Sequence, residues 1–373
     1  MKTNWQTKKL GEICDIKTGK KDVNQGNPTG QYPFFTCARD HTYSDEYSFD
    51  MEALLVAGNG DVGHVSYYNG KFEAYQRTYI LHNFNDLILT RFLHLFLDGY
   101  LKATVSKQKL GNTMPYIKMG MLTDFKVPVP PLSEQKRIVK ILDEVFEKIE
   151  RAKENAENNL KNSKELFEYY LQDTFSNKEN DWEIKKLGEI AEYFNGLTYS
   201  PKNVSDEGII VLRSSNVQKD ELDFSDIVRV NCKVKEKVIV KEGDILMCSR
   251  NGSKRLVGKT ATIKNLKEPM TFGTFMMIIR GDNNPYLAWF FKSTEFRKQI
   301  AGGENTMINQ ITRYMLDDIV VSFPPQKELN IIVKKLNLLS EQVKKLEAIY
   351  QKKLVDLEEL KKSVLNKAFT GDL

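Results

Sequence analysis

The sequence predicts an α+β chain made of two globular domains and two long helices that form an antiparallel coiled coil, arranged as a pseudo-twofold tandem repeat. Three observations predict it. First, "VPVPPLSEQKRIVKILDEV" from Val127 is answered by "VSFPPQKELNIIVKKLNLL" from Val321. Pro130 and Pro324 are 194 residues apart, and that offset holds without a gap from Asp124 and Asp318 to Phe175 and Phe369. Second, "WQTKKLGEI" opens at Trp5 and "WEIKKLGEI" at Trp182, an offset of 177. The second globular part is therefore 17 residues longer, while the helical parts are equal in length. Third, apolar or small residues after each Pro-Pro pair recur at alternating steps of four and three, a heptad seam.

These offsets set the boundaries. Residues 1–130 form the first globular domain and 131–177 the first rod; residues 178–325 form the second domain and 326–373 the second rod. The first seam runs Ile138, Leu142, Val145, Ile149, Ala152, Ala156, Leu160, Ser163, Phe167 and Tyr170. The second runs Ile332, Leu336, Leu339, Val343, Leu346, Tyr350, Leu354, Leu357 and Val364. Pro131 suits the first turn of a helix, and Ser133 with Glu134 suits its cap. A helix of about 40 residues spans ~60 Å and needs a partner for its apolar seam. Two equivalent rods in one chain can supply each other, and antiparallel pairing keeps the two domains from crowding one end.

The globular parts read as β-rich. The runs "EALLVAG", "FEAYQRTYIL", "GIIVLRSS", "EGDILMCS" and "TFMMIIRG" are β-prone and punctuated by Gly, Asn or Asp. Two amphipathic stretches, "LILTRFLHLFLDGYLK" and "YLAWFFKSTEFRKQIA", read as helices.

Composition narrows the function. The 373 residues carry a net charge of +5, divided as +2, −2, +2 and +3 over the four segments. No segment is basic enough to identify a nucleic-acid binder by charge alone. The apolar runs fall short of the ~20 residues of a membrane span. The N-terminus lacks an apolar signal region. Cys14, Cys37, Cys232 and Cys248 form no C-x-x-C pair, as expected for reduced thiols in a cytoplasmic protein.

Motifs that suggest catalysis do not hold together. Gly58, Gly60 and Gly63 match G-x-G-x-x-G, but "HVSYYNGKFEAY" follows, not a helix to hold phosphate. A tight β-turn beside a binding surface fits better. "DNNPYLAWF" approaches the Asn/Asp-Pro-Pro-Tyr tetrapeptide of amino-methyltransferases but has one proline, and reads as a helix start at Pro285. No histidine is spaced for metal or nucleophile chemistry. No catalytic, metal or cofactor site is expected in this chain.

What remains are polar loops in corresponding places of the two domains. Those of the first domain hold Arg39, Asp40, Gln76, Arg77, Asn112 and Lys118. Those of the second hold Arg213, Asn216, Arg250, Asn251, Lys254, Asn305 and Gln310. Such side chains read base edges and hold phosphates, and they are equally the ordinary residues of a soluble surface.

The layout resembles the specificity subunit of type I restriction–modification enzymes. The resemblance rests on W-x-x-K-K-L-G-E-I opening each half, on "PPLSEQKRIVKILD" and the weaker "PPQKELNIIVKKL" closing them, and on the terminus "LKKSVLNKAFTGDL". The second joint departs from the first at Leu329, Asn330 and Ile331, which replace Gln135, Lys136 and Arg137. The resemblance implies two target-recognition domains that each read half of a split, asymmetric site on double-stranded DNA, with the thirteen loop residues named above as the candidate DNA contacts. It implies paired helices that fix the spacer between the half-sites. Its implied partners are two modification subunits, which carry S-adenosylmethionine and methylate adenine, and restriction subunits using ATP and Mg where present. Two rival readings remain. A self-sufficient methyltransferase or nuclease predicts S-adenosylmethionine binding or activity by the isolated chain. A coiled-coil adaptor predicts no sequence-dependent DNA binding.

Overall fold

The computed structural model describes residues 5–107, 116–176, 181–301 and 310–373. The chain divides into two compact units, Met1–Asn158 with Tyr350–Leu373, and Asn159–Ile349. Each unit thus contains one globular part and its own share of both long helices.

The first unit contains β1 (Gln6–Lys9), β2 (Asp15–Thr18), β3 (Tyr32–Phe35), β4 (Thr42–Ser44), β5 (Phe49–Ala57), β6 (Val65–Ala74), β7 (Thr78–His82), α1 (Thr90–Lys107), α2 (Met119–Thr123), β8 (Lys126–Val129) and the start of α3 (Leu132–Ser176). Six strands form a sheet in the order β2-β7-β5-β6-β3-β4. β5 explains the sheet's two-sided burial. Its alternate residues Leu54 and Val56 enter a core with α1 and the long helices, while Ala53 and Leu55 pack with Phe49, Phe72 and Ile80 on the other face. The run "FEAYQRTYIL" is two strands, not one: β6 ends at Ala74, residues 75–77 turn, and β7 begins at Thr78.

The second unit continues with β9 (Glu183–Lys186), α4 (Leu187–Ile190), β10 (Glu192–Asn195), β11 (Val204–Ser205), β12 (Ile209–Leu212), β13 (Val217–Gln218), β14 (Glu221–Leu222), β15 (Arg229–Val230), β16 (Ile245–Cys248), β17 (Thr260–Thr262), β18 (Met270–Phe272), β19 (Met276–Arg280), α5 (Asn284–Phe290), α6 (Thr294–Ala301), α7 (Arg313–Asp317), β20 (Val320–Phe323) and α8 (Gln326–Thr370). Two four-stranded sheets, β10-β19-β16-β17 and β11-β15-β12-β18, sandwich Ile210, Leu212, Leu246, Phe272 and Ile278. The stretch "YLAWFFKSTEFRKQIA" is two helices. The hydroxyl of Ser293 donates back to Phe290 at 2.6 Å and accepts the N–H of Phe296, so it closes α5 and caps α6.

The duplication reaches individual bonds. β1 pairs with β8, and β9 with β20. Lys9 and Lys186 reach Asp124 and Asp318 at 2.7 and 3.1 Å. Leu10 and Leu187 each donate their N–H at 2.8 Å across the joint, to Phe125 and Ile319. α3 and α8 are both 45 residues long, and the 194-residue offset holds at both of their ends. Within the first unit Arg137, Glu150 and Lys153 meet Leu373, Lys361 and Glu358. As α3 advances α8 recedes, so the two run antiparallel. Within the second unit Lys164 meets Glu347 at 3.0 Å, and Lys335 covers the ring of Tyr170. Ile138, Leu142, Ile149, Ala156, Ile332 and Leu336 of the expected seams are buried, whereas Leu346, also expected in the seam, is exposed.

The joints differ where their sequences do. Gln135 is fully buried and its amide donates to the carbonyls of Leu87 and Pro130, both at 2.8 Å. Its equivalent Leu329 is a core residue of the second unit. Arg137 pairs with Glu134 and with the carbonyl of Leu373, while its equivalent Ile331 is exposed.

Candidate nucleic-acid interface

In the first unit four segments meet at the end of β5. The loop Gly58 to Gly63 joins β5 to β6, strand to strand, so the glycine motif forms a hairpin and not a phosphate loop. Gly58 donates to the carbonyl of Arg77 at 3.1 Å, and Ile117 donates to the carbonyl of Gly58 at 2.8 Å. Asp61 donates its N–H to the carbonyl of Cys37 at 3.1 Å. The hydroxyl of Tyr79 fixes the carbonyl of Ile117 at 2.7 Å. Gly60 has φ +63, and a Cβ there would lie 2.9 Å from the carbonyl oxygen of Cys37. Only glycine lets these two loops close on each other without strain.

This knot presents Arg39, Asp40, Gln76, Arg77 and Lys118, all exposed, from three of the four segments. Gln76 leans toward Asp22 at 3.5 Å, too long to hold it firmly. Lys102 of α1 bonds to Asp61 and, with the charges of His64 and Arg39, keeps that carboxyl below the ordinary range. The loop therefore carries its negative charge already neutralised, which suits a surface facing phosphates. Asn112 lies outside the described residues.

The second unit rebuilds the same knot. Cys248 pairs with Met276 in the β16–β19 ladder as Ala57 pairs with Thr78 in β5–β7. Ser249 donates to the carbonyl of Phe275 at 3.0 Å, as Gly58 does to Arg77, and Ile311 donates to the carbonyl of Ser249 at 2.8 Å, as Ile117 does to Gly58. Gly63 and Gly258 end the two loops with φ +82 and +81 and donate to Ala57 and Cys248 at 2.9 and 2.8 Å. Between those fixed points the second loop runs from Ser249 to Val257 and the first only from Gly58 to Val62. Four of the extra residues of the second domain thus enter the loop that bears candidate contacts.

Arg250, Lys254 and Gln310 are exposed on this surface, and Arg250 pairs with Gln310 in a backbone bridge. Asn251 is half-buried and donates to the hydroxyl of Ser214 at 3.1 Å. Arg213 is half-buried and paired with Asp226 at 2.7 Å. Asn216 corrects the sequence reading: it is only 1% exposed. Its amide donates to Asp223 and Asp226 at 2.9 Å, and its oxygen accepts the N–H of Arg213. Every hydrogen-bonding group is consumed, so Asn216 staples its loop and has nothing left to offer a base. Asn305 lies outside the described residues.

Sequence reasoning missed Lys102, Lys259 and Phe275. Lys102 sits on a helix and not in a loop. Lys259 donates to the carbonyls of Ser214 and Val217, and burial pushes its ammonium down from its ordinary value. Phe275 is 57% exposed beside Arg250. A search for polar side chains passes over it, although the aligned turns "YQRT" and "GTFM" place it where Arg77 stands.

Two platforms of one backbone design with different side chains define a tandem-repeat protein. The chain belongs to the family of the type I restriction modification DNA specificity domain, whose model matches residues 2–162 and 179–354. It is 42% identical over 154 residues to the type I restriction enzyme EcoDI specificity subunit of Escherichia coli, covering 41% of this chain and 34% of that one. It is 27% identical over 308 residues to the EcoKI specificity subunit of Escherichia coli strain K12, covering 77% of this chain and 66% of that one. The match thus spans less than two thirds of either relative. A solved chain from a study of complex assembly and conformational transition of the type I R-M system shares the fold, with TM-score 0.78, 18% identity, and coverage of 99% of this chain and 98% of that one. Among the described residues no helix is long and apolar enough to cross a membrane.

Proposed function

We propose that this chain is the DNA-reading, non-catalytic subunit of a cytoplasmic type I restriction–modification enzyme. Each loop platform reads one half of a split, asymmetric site on double-stranded DNA. The single observation that carries this reading is the shared pattern of backbone bonds, Gly58 to Arg77 and Ile117 to Gly58 against Ser249 to Phe275 and Ile311 to Ser249, under side chains that differ. A scaffold held constant while its displayed residues change is what two readers of two sequences require. Exposed Arg39, Arg77 and Lys118 in one platform and Arg250 and Lys254 in the other supply donors for guanine edges and phosphates.

The paired helices then set the spacer, and the chain directs two modification subunits to adenines in the site. S-adenosylmethionine belongs to those subunits, and ATP and Mg belong to restriction subunits where these join. The modest charge of each half is consistent with partners that share the phosphate contacts. The test is co-expression with a modification subunit of the same system, followed by mapping of methylated adenines. A split motif with two unlike halves is expected. Methylation without sequence preference, or a complex that does not form, overturns the reading. Methylation by the isolated chain supports a self-sufficient enzyme instead.

A further inference from the structure

Phe275 stands at the position in the second platform that Arg77 holds in the first. The correspondence rests on three matched bonds. Tyr75 and Gly273 donate their N–H at 2.9 Å to the ends of β3 and β12, to Phe35 and Leu212 respectively. Thr78 and Met276 close the turns by donating to Tyr75 and Gly273 at 2.7 and 2.8 Å. Gly58 and Ser249 bond the carbonyls of Arg77 and Phe275 at 3.1 and 3.0 Å. The backbone of Phe275 is held further by the hydroxyl of Ser249 and the N–H of Arg250, at 3.0 and 3.1 Å. The guanidinium of Arg250 lies 5.6 Å from the ring centroid. The ring is 57% exposed on this firmly held turn, at the position where the first platform displays Arg77.

Building on the DNA-reading function proposed above, we infer that Phe275 is a specificity residue that packs on the 5-methyl group of one thymine in the second half-site. The methyl of thymine is the apolar feature that a base edge presents in the major groove, and Phe is among the side chains that meet it. Arg250 beside the ring supplies the donor for the neighbouring base or phosphate. The two platforms therefore differ in kind at one equivalent position: an arginine suited to guanine in the first and a ring suited to thymine in the second.

The test uses the full chain assembled with its modification subunits, on the split site found by methylation mapping. Thymines of the second half-site are replaced one at a time by deoxyuridine, which removes the methyl alone. One replacement is expected to weaken binding about four-fold, the ~0.8 kcal/mol of one buried carbon at 1.4 kcal/mol per decade. Phe275→Ala should weaken binding to the thymine site about as much and lose nothing further on the deoxyuridine site. Phe275→Leu should keep part of the discrimination, and controls for folding. Indifference to every deoxyuridine, a second half-site without thymine, or losses that multiply independently would overturn the inference while leaving the split-site reading intact. Weakening by Phe275→Ala with deoxyuridine tolerated everywhere indicates a stacking wedge and equally overturns it. Absence of any sequence-dependent site removes both.

Discussion

The side-chain oxygen of Gln135 accepts the backbone N–H of Leu89 at 2.8 Å. That residue also donates to Leu87 and Pro130, so one buried amide ties the first turn of α3 to the segment preceding α1. Gln135→Leu, which copies the residue of the second joint, removes the partner of one donor and two acceptors, of which the bond to the Pro130 carbonyl is buried and the other two are part-buried. A stranded buried group costs about 1–3 kcal/mol, so a loss of at least ~1 kcal/mol is expected. Leu329→Gln should also destabilise, because it introduces an amide among core residues. Thermal or urea unfolding reads both, and two neutral substitutions would refute the account of why the joints diverged.

The far ends of the rods anchor the cores. Phe369 packs against Phe92 and Phe96 at 5.2 and 5.1 Å between ring centroids, and its equivalent Phe175 packs against Tyr286 and Phe290 at 5.2 and 5.7 Å. Phe369→Ala or Phe175→Ala should each cost about 3–5 kcal/mol. Hydrogen exchange read separately in residues 90–101 and 284–301 should show Phe369→Ala loosening the first stretch and Phe175→Ala the second. Equal loosening of both stretches by either substitution would contradict the assignment of each phenylalanine to its own core.

What could be read in advance follows from how strongly each feature constrains residue type. The rods were legible because a seam of period 3.5 has few alternatives, and the 194-residue offset survives to the last turn of both helices. The glycine motif was legible as a turn because a strand, not a helix, follows Gly63. Sheet pairing was not, since the turn at 75–77 carries Tyr-Gln-Arg with no glycine or proline to mark it. Asn216 and Phe275 show the same blind spot from two sides. Polar character is not availability: Asn216 spends its amide on the carbonyls of Asp223 and Asp226, while the phenylalanine at 275 stands open to solvent. Burial depends on register across a sheet, and no single residue type reports it.

Arg77 and Lys118 should separate base reading from phosphate holding. Both are exposed on the first platform, and the backbone of Arg77 is pinned by Gly58. Arg77→Ala is expected to cost about 1–3 kcal/mol and to relax one position of one half-site. Lys118→Ala should weaken binding to all sites alike and lower the salt slope by about one. The readouts are the methylated motif and the affinity at several salt concentrations. An unchanged motif and affinity in Arg77→Ala would exclude it as a reader.

The spacer idea makes a metric prediction. Deleting one heptad from each of α3 and α8 removes about 10 Å of helix at 1.5 Å per residue. Seven residues are nearly two full turns, so the apolar seams and the antiparallel partners on either side stay in phase to about 20°. At ~3.4 Å per base pair the half-sites should move closer by about three base pairs. Each platform is built within its own unit, by bonds such as Ile117 to Gly58 and Ile311 to Ser249, so both half-site sequences should survive the deletion. Methylation mapping distinguishes the outcomes. A shorter spacer between unchanged halves supports rods that act as a ruler, and an unaltered spacer with the shortened protein active shows that something else sets the distance.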